Sequence, residues 1–427
     1  MKYVKILFSL LFILSIIAGA IGCAAEPGEK RPSGSNVAQA VDLMGDVRAG
    51  RVNGRVADTA FIESMADFTI ELFKNSISTT ENKNSLISPL SVMTALSMTA
   101  NGANGNTLTQ MEHLLGGGIP IESLNEYLYS YNNNLPSSEK AKLSIANSIW
   151  FRDDESLHVE PAFLQINADY YNASLYKSAF DAGTLSDINN WVKSNTDGMI
   201  DKILDSIDDM LELILINAIV FDARWQKVYE TTDIRKDIFT DITNEEQHVD
   251  FMFSTEYLYL DTVNATGFIK PYENNDYSFV ALLPNENISI NEFVASLTGN
   301  GFIDIINCAA PATVFASMPK FSFEYDIIMN DILELQGMPD AFNERTADFS
   351  KMATSEYGNI YIDQVLHKTF ISVDELGTKA GAVTSVAMAG GGAPIDIMVV
   401  HLNKPFFFAI IDNTANLPIF MGTLLTV

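Results

Sequence analysis

An α+β fold in one large domain is the class the sequence predicts, on three observations. The run LELILINAIVFDA (211–223) is apolar or β-branched almost throughout, too continuous for a half-exposed strand. It reads as a strand covered on both faces in the middle of a large sheet. SPLSVMTALSMTA (88–100) opens with the Ser-Pro signal of a helix start and spaces Val92, Ala95, Leu96 and Thr99 along one face. Toward the C-terminus, IYIDQVLHKTFISVDE (360–375) alternates as a strand, and HLNKPFFFAIIDNTANLPIFMGTLL (401–425) reads as a closing β-pair.

Length alone, at 427 residues, would allow two or three domains. After Phe61, however, no Pro/Ser-rich linker or charge run divides the chain, and no period of 20–50 residues recurs. Residues 58–427 are therefore read as a single domain. Apolar content of 47% against 19% charged is enough for a large core. The turn dipeptides Asn101-Gly102 and Asn104-Gly105 are expected to end the first of these helices.

The formal charge of −28 repels phosphate backbones and argues against nucleic-acid binding. Lys2 and Lys5 precede an apolar run from Ile6 to Ala18, and small residues lead to Cys23 in AIGC. This is the layout of a secretory leader over residues 1–22. The small residues before the cysteine are similar to the lipobox of bacterial lipoproteins, in which Cys23 would be acylated. Residues 23–57, rich at first in Pro, Gly, Ser and charge, are then a flexible tether to a membrane, and the location is extracytoplasmic, at the cell surface or in the periplasm. With Cys23 lipidated no internal disulfide can form, and Cys308 is expected to be a small buried hydrophobe.

Catalytic signatures are missing. The sequence holds no G-x-S-x-G elbow, H-E-x-x-H, P-loop or paired C-x-x-C, and its five histidines have no metal-ligand spacing. No cofactor or metal is expected, and the chain is read as a non-enzyme.

The most informative segment is ELGTKAGAVTSVAMAGGGAP (375–394). It carries one charge after Glu375 and no proline before Pro394, so nothing in between forbids a β-ladder. In alternation, Thr378, Ala380, Ala382, Thr384, Val386 and Met388 share one face, and the charge of Lys379 falls on the other. A segment that must at some stage become a central strand keeps charge off one face in this way.

Seven separated blocks, in order, carry a resemblance to the serpins over about Phe61 to Val427. They include SLISPLSVMTALSMTANGANGNTLTQMEHLLG, ANSIWF, INNWVKSNTDGMIDKIL and LILINAIVFDARWQKVYE. MPKFSFEYD with LQGMPDAFNERTADFSKM, then VLHKTFISVDELGTKAGA and LNKPFFFAIIDN with PIFMG, complete the set. The resemblance implies a serpin fold with three β-sheets, about eight or nine helices and an exposed reactive-centre loop, which the 375–394 segment would form. It also implies inhibition of serine peptidases by loop cleavage, covalent trapping and insertion of the loop into the central sheet. A serpin acting instead as a scaffold, chaperone or binding protein is the alternative.

Residue by residue, Glu375, Gly377, Thr378, Ala380 and Ala382 match the hinge, with Gly377 expected to supply torsional freedom. Ser88, Ser91, Asn217 and His367 match positions that control sheet opening, the two hydroxyls, amide and imidazole satisfying one another. Lys320 and Glu375 match an ion pair below Trp225. Family spacing puts the reactive bond at Gly391–Gly392, with Gly390 and Met388 as alternatives. Glycine on both sides suits a peptidase of elastase-like or subtilisin-like specificity. A monomer is expected.

Overall fold

The computed structural model describes residues 40–78, 82–208, 210–356, 358–378 and 397–427. Cys23, Ala380, Ala382, Met388, Gly390, Gly391 and Gly392 lie outside these residues.

The strand Leu213–Arg224 is buried along nearly its whole length, as an apolar run interrupted before Asp222 only by Asn217 requires. It sits near the middle of a seven-stranded sheet ordered Val41–Asp42, Ser174–Ser178, Ala141–Arg152, Leu213–Arg224, Gly377–Thr378, Gln364–Val373 and Phe321–Ile328. Ala141–Arg152 runs antiparallel to the central strand, while Gln364–Thr369 pairs with Ile214–Ile219 in parallel. A nine-stranded sheet contains the predicted closing pair, Phe406–Asp412 antiparallel to Leu417–Leu424. Ala353–Thr354 and His158–Val159 form a third, two-stranded sheet. With nine α-helices among the described residues, the expected α+β class and its three sheets are present.

Helix Pro89–Ala100 lies between the two large sheets, touching Leu417–Leu424 on one side and Ala141–Arg152 and Leu213–Arg224 on the other. All twelve of its residues are buried, so the single apolar face expected from spacing understates its burial. Its polar side chains tolerate this because Thr94 and Thr99 donate to the carbonyls of Leu90 and Ala95 at 2.8 and 3.0 Å. Asn101 caps the helix, but Asn104-Gly105, expected to help end it, starts the next helix, Gly105–Gly116.

Two further expectations need correction. Residues 40–57 were assigned to a flexible tether, yet this stretch lies on the domain. Val41–Asp42 extends the sheet edge at Tyr176–Lys177, and the Leu43 N–H bonds the Leu175 carbonyl at 2.9 Å. Leu43 and Met44 pack against the core, so the apolar VDLM motif holds the segment down. Cys308, expected to be buried, is exposed. Phe302 and Ile306 take the inner face of helix Gly299–Asn307, and Cys308 follows at its end on the outer side.

Candidate functional site at the seam of the large sheet

Between Leu213–Arg224 and Gln364–Val373 the sheet has a seam, and polar side chains gather under its closed part. His367 and Asn217 are register partners across it. His367 Nδ1 donates to Asn217 Oδ1, and Asn217 Nδ2 donates to Ser91 Oγ and Asn147 Oδ1. His367 Nε2 accepts the Ser88 backbone N–H at 3.1 Å. The sheet thereby ties itself to the start of helix Pro89–Ala100 through one imidazole. Ser88 takes part differently from expectation: its hydroxyl is buried without a hydrogen-bond partner among the described residues, and only its N–H contributes. The fourth side chain of the network is Asn147. It went unnoticed in the sequence although it lies inside the ANSIWF block, because a lone Asn in an apolar strand was its only signal.

Both imidazole contacts require the neutral ring. A second ring proton would point at the Ser88 N–H, itself a donor, and burial drives the His367 pKa down to about 3. Because the folded pKa lies below the unfolded value, stability from this group is complete above about pH 6.5 and falls as the pH drops toward 3. The slope is at most about 1.4 kcal/mol per pH unit. Thermal midpoints of the wild type and His367→Gln between pH 7.5 and 4.5 should show the shallower fall in the variant. Equal slopes would place the proton uptake elsewhere.

At the upper end, Asp374 to Gly377 form a tight turn. Asp374 Oδ1 accepts the N–H groups of Leu376 and Gly377 at 2.8 and 3.2 Å, and the Asp374 N–H donates to the Gly377 carbonyl. Trp225 holds this turn from below: its N–H bonds the Leu376 carbonyl at 2.9 Å and its indole N–H the Asp374 carbonyl at 2.8 Å. Lys320 pairs with Glu375, and its hydrogen bond keeps that carboxyl below its usual pKa. Both partners are partly exposed, so the pair contributes about 0–1 kcal/mol. A buried pair escaped sequence reading. Lys270 meets Glu256 at 2.8 Å and lies under the Trp225 and Tyr229 rings, at 5.3 and 4.4 Å. A single lysine within the apolar strand Ala265–Pro271 was the available clue.

Past the turn the chain enters the seam. Gly377 and Thr378 pair antiparallel with Arg224 and Ala223, and Thr378 also pairs with Val373. Thr378 is 2% exposed, and its hydroxyl lies 2.6 Å from that of Tyr272. The tract after Glu375 was expected to stand wholly outside the body, so its first two strand residues being seated is a correction. The reason for glycine also changes. Gly377 has no positive φ, but a Cβ there would fall 2.1 Å from the Ala223 carbonyl oxygen. Closeness to a neighbouring strand demands the glycine in this state.

This arrangement, a large sheet parted at one end by the short strand Gly377–Thr378, defines a class. The serpin (serine protease inhibitor) family model matches residues 63–427. The thermophilic serpin tengpin in its native state is 57% identical, with a TM-score of 0.88 over 91% of this chain and all of that one. The latent state of tengpin superposes less well, at a TM-score of 0.78 over 88% of this chain and all of that one, with 57% identity. Serpin-Z7 of Hordeum vulgare is 30% identical over 359 residues, 79% of this chain and 89% of its own. The chain belongs to the serpin family.

Proposed function

We propose that the protein inhibits serine peptidases of elastase-like or subtilisin-like specificity as a suicide substrate. The peptidase serine attacks the Gly391 carbonyl, the Gly392 amine leaves with a proton, and an ester joins the two proteins. The freed arm then continues the strand begun at Gly377–Thr378 and carries the ester-linked peptidase with it. Distortion of the peptidase oxyanion hole leaves the ester unhydrolysed. From Thr378 to Gly391 the arm would reach about 43 Å fully extended.

The observation that carries this reading is Thr378, small, buried and already laddered on both sides at the head of the seam. An arm whose first step is taken needs no new nucleus to proceed. Incubation with pancreatic elastase and with subtilisin, followed by denaturing electrophoresis, tests it. A band near the summed masses is expected; complete turnover to a clipped chain with no such band would reject inhibition in favour of a scaffold or binding role. We further propose that Cys23 is acylated after removal of residues 1–22, placing the domain outside the cytoplasm on a membrane. Mass spectrometry of the N-terminal peptide from the membrane fraction should find the lipid on Cys23.

A further inference from the structure

Apart from the isolated bridge of Ala141 to Ser138, the outer edge of the strand Ala141–Arg152 has no ladder partner before Ser148 among the described residues. It pairs with Leu213–Arg224 from Ala141 onward, but with Ser174–Ser178 only from Ser148. Beside this bare stretch opens a cavity of about 520 Å³, a size typical of small-molecule sites. Its chemistry is unusual for so acidic a protein. The rings of Tyr129, Tyr170 and Trp191 wall it, the first two meeting edge-to-face at 6.0 Å, and several asparagine amides lie between them. Among the described residues no lysine, arginine or histidine lines it. The one carboxylate among the described lining residues, Asp169, is already engaged by the Gly50 N–H at 2.7 Å and by Gln165. Asn132, at the wall, carries a buried side-chain oxygen with no donor among the described residues.

We infer that this groove binds a neutral saccharide. Sugar rings offer C–H faces that stack on aromatic rings, and hydroxyls that both donate to and accept from amides. Acidic sugars are disfavoured, since no cation faces the space and the protein bears −28 overall. Thr94 and Asn147 also line the groove, and Asn147 accepts from Asn217 under the seam. The occupant therefore rests against the network that ties the sheet shut, and binding raises the thermal midpoint of the uncleaved protein.

Isothermal titration of the full-length chain with maltotriose, cellotriose and chitotriose tests this, with a heparin hexasaccharide and an extended tripeptide as controls. Saturable binding of at least one neutral trisaccharide is expected, weakened about tenfold or more by Trp191→Ala and by Asn132→Leu, a change of about 1.4 kcal/mol. If Trp191→Ala fails to fold, Asn195→Leu at the exposed rim takes its place. No neutral sugar binding, binding that survives the substitutions, or binding of heparin alone would overturn the inference. Binding of the peptide alone would also overturn it, and would assign the bare edge to strand addition.

Discussion

Replacing Thr378 by arginine is expected to turn the protein from an inhibitor of a susceptible peptidase into its substrate. Thr378 is sealed between two strands and bonded to Tyr272, and the nearby Asp374 carboxylate is already engaged by the N–H groups of Leu376 and Gly377. An arginine would hold position 378 out of the seam in the uncleaved protein, and returning it during insertion would bury an unpaired charge at a cost of about 3–5 kcal/mol. At tenfold per 1.4 kcal/mol, insertion slows by more than about 100-fold and hydrolysis of the ester wins. On a denaturing gel the complex band should vanish and the clipped chain accumulate, while Thr378→Ser keeps the band. Unchanged trapping by the arginine variant would mean that the arm does not enter through position 378.

Cutting the loop should raise the melting temperature by about 6–20 °C. Insertion adds on the order of ten ladder hydrogen bonds net of those given up, each contributing about 0.5–1.5 kcal/mol. The sum is comparable with the entire stability of an ordinary domain, about 5–15 kcal/mol. At about 2.1 cal/mol/K of unfolding entropy per residue, a domain of about 370 residues shifts by about 1.3 °C per kcal/mol, so about 5–15 kcal/mol gives a rise of about 6–20 °C. Calorimetry before and after limited proteolysis within 379–396 measures it. A clipped protein that melts with the intact one would remove the stored free energy on which the proposed trap depends.

The parts of this protein legible in its sequence are those that burial writes into a pattern. Leu213–Arg224 declared itself because Asn217 is the only polar residue between Leu213 and Phe221, and Gln364–Val373 because its apolar residues alternate. Partners are less legible than burial. His367, Asn217 and Ser91 could be grouped through the family resemblance, but Asn147 joins them only because two distant strands register it opposite Asn217. Lys270 and Glu256 lie fourteen residues apart on neighbouring strands, and nothing local marks them as a pair. Gly377 was read for its torsions, since sequence cannot show that a carbonyl stands where its side chain would be. Cys308 went wrong for a related reason: composition says that cysteine prefers the interior, but helix phase decides which residues reach it. The Ala40–Ala57 stretch follows a polar, Pro/Gly-rich start, and its short VDLM anchor was too brief to stand out against it.

The parallel pairing at the seam has a directional consequence. Gln364–Thr369 and Ile214–Ile219 run the same way, an alignment slightly weaker per residue than the opposed one. Gly377–Thr378 runs against both of its neighbours. Once past the parted stretch above Thr369 and Ile219, every residue by which that newcomer lengthened would exchange one like-directed contact for two opposed ones. Strand polarity gives the sheet a preferred line of parting, and it makes the parted form, once filled, the better hydrogen-bonded of the two.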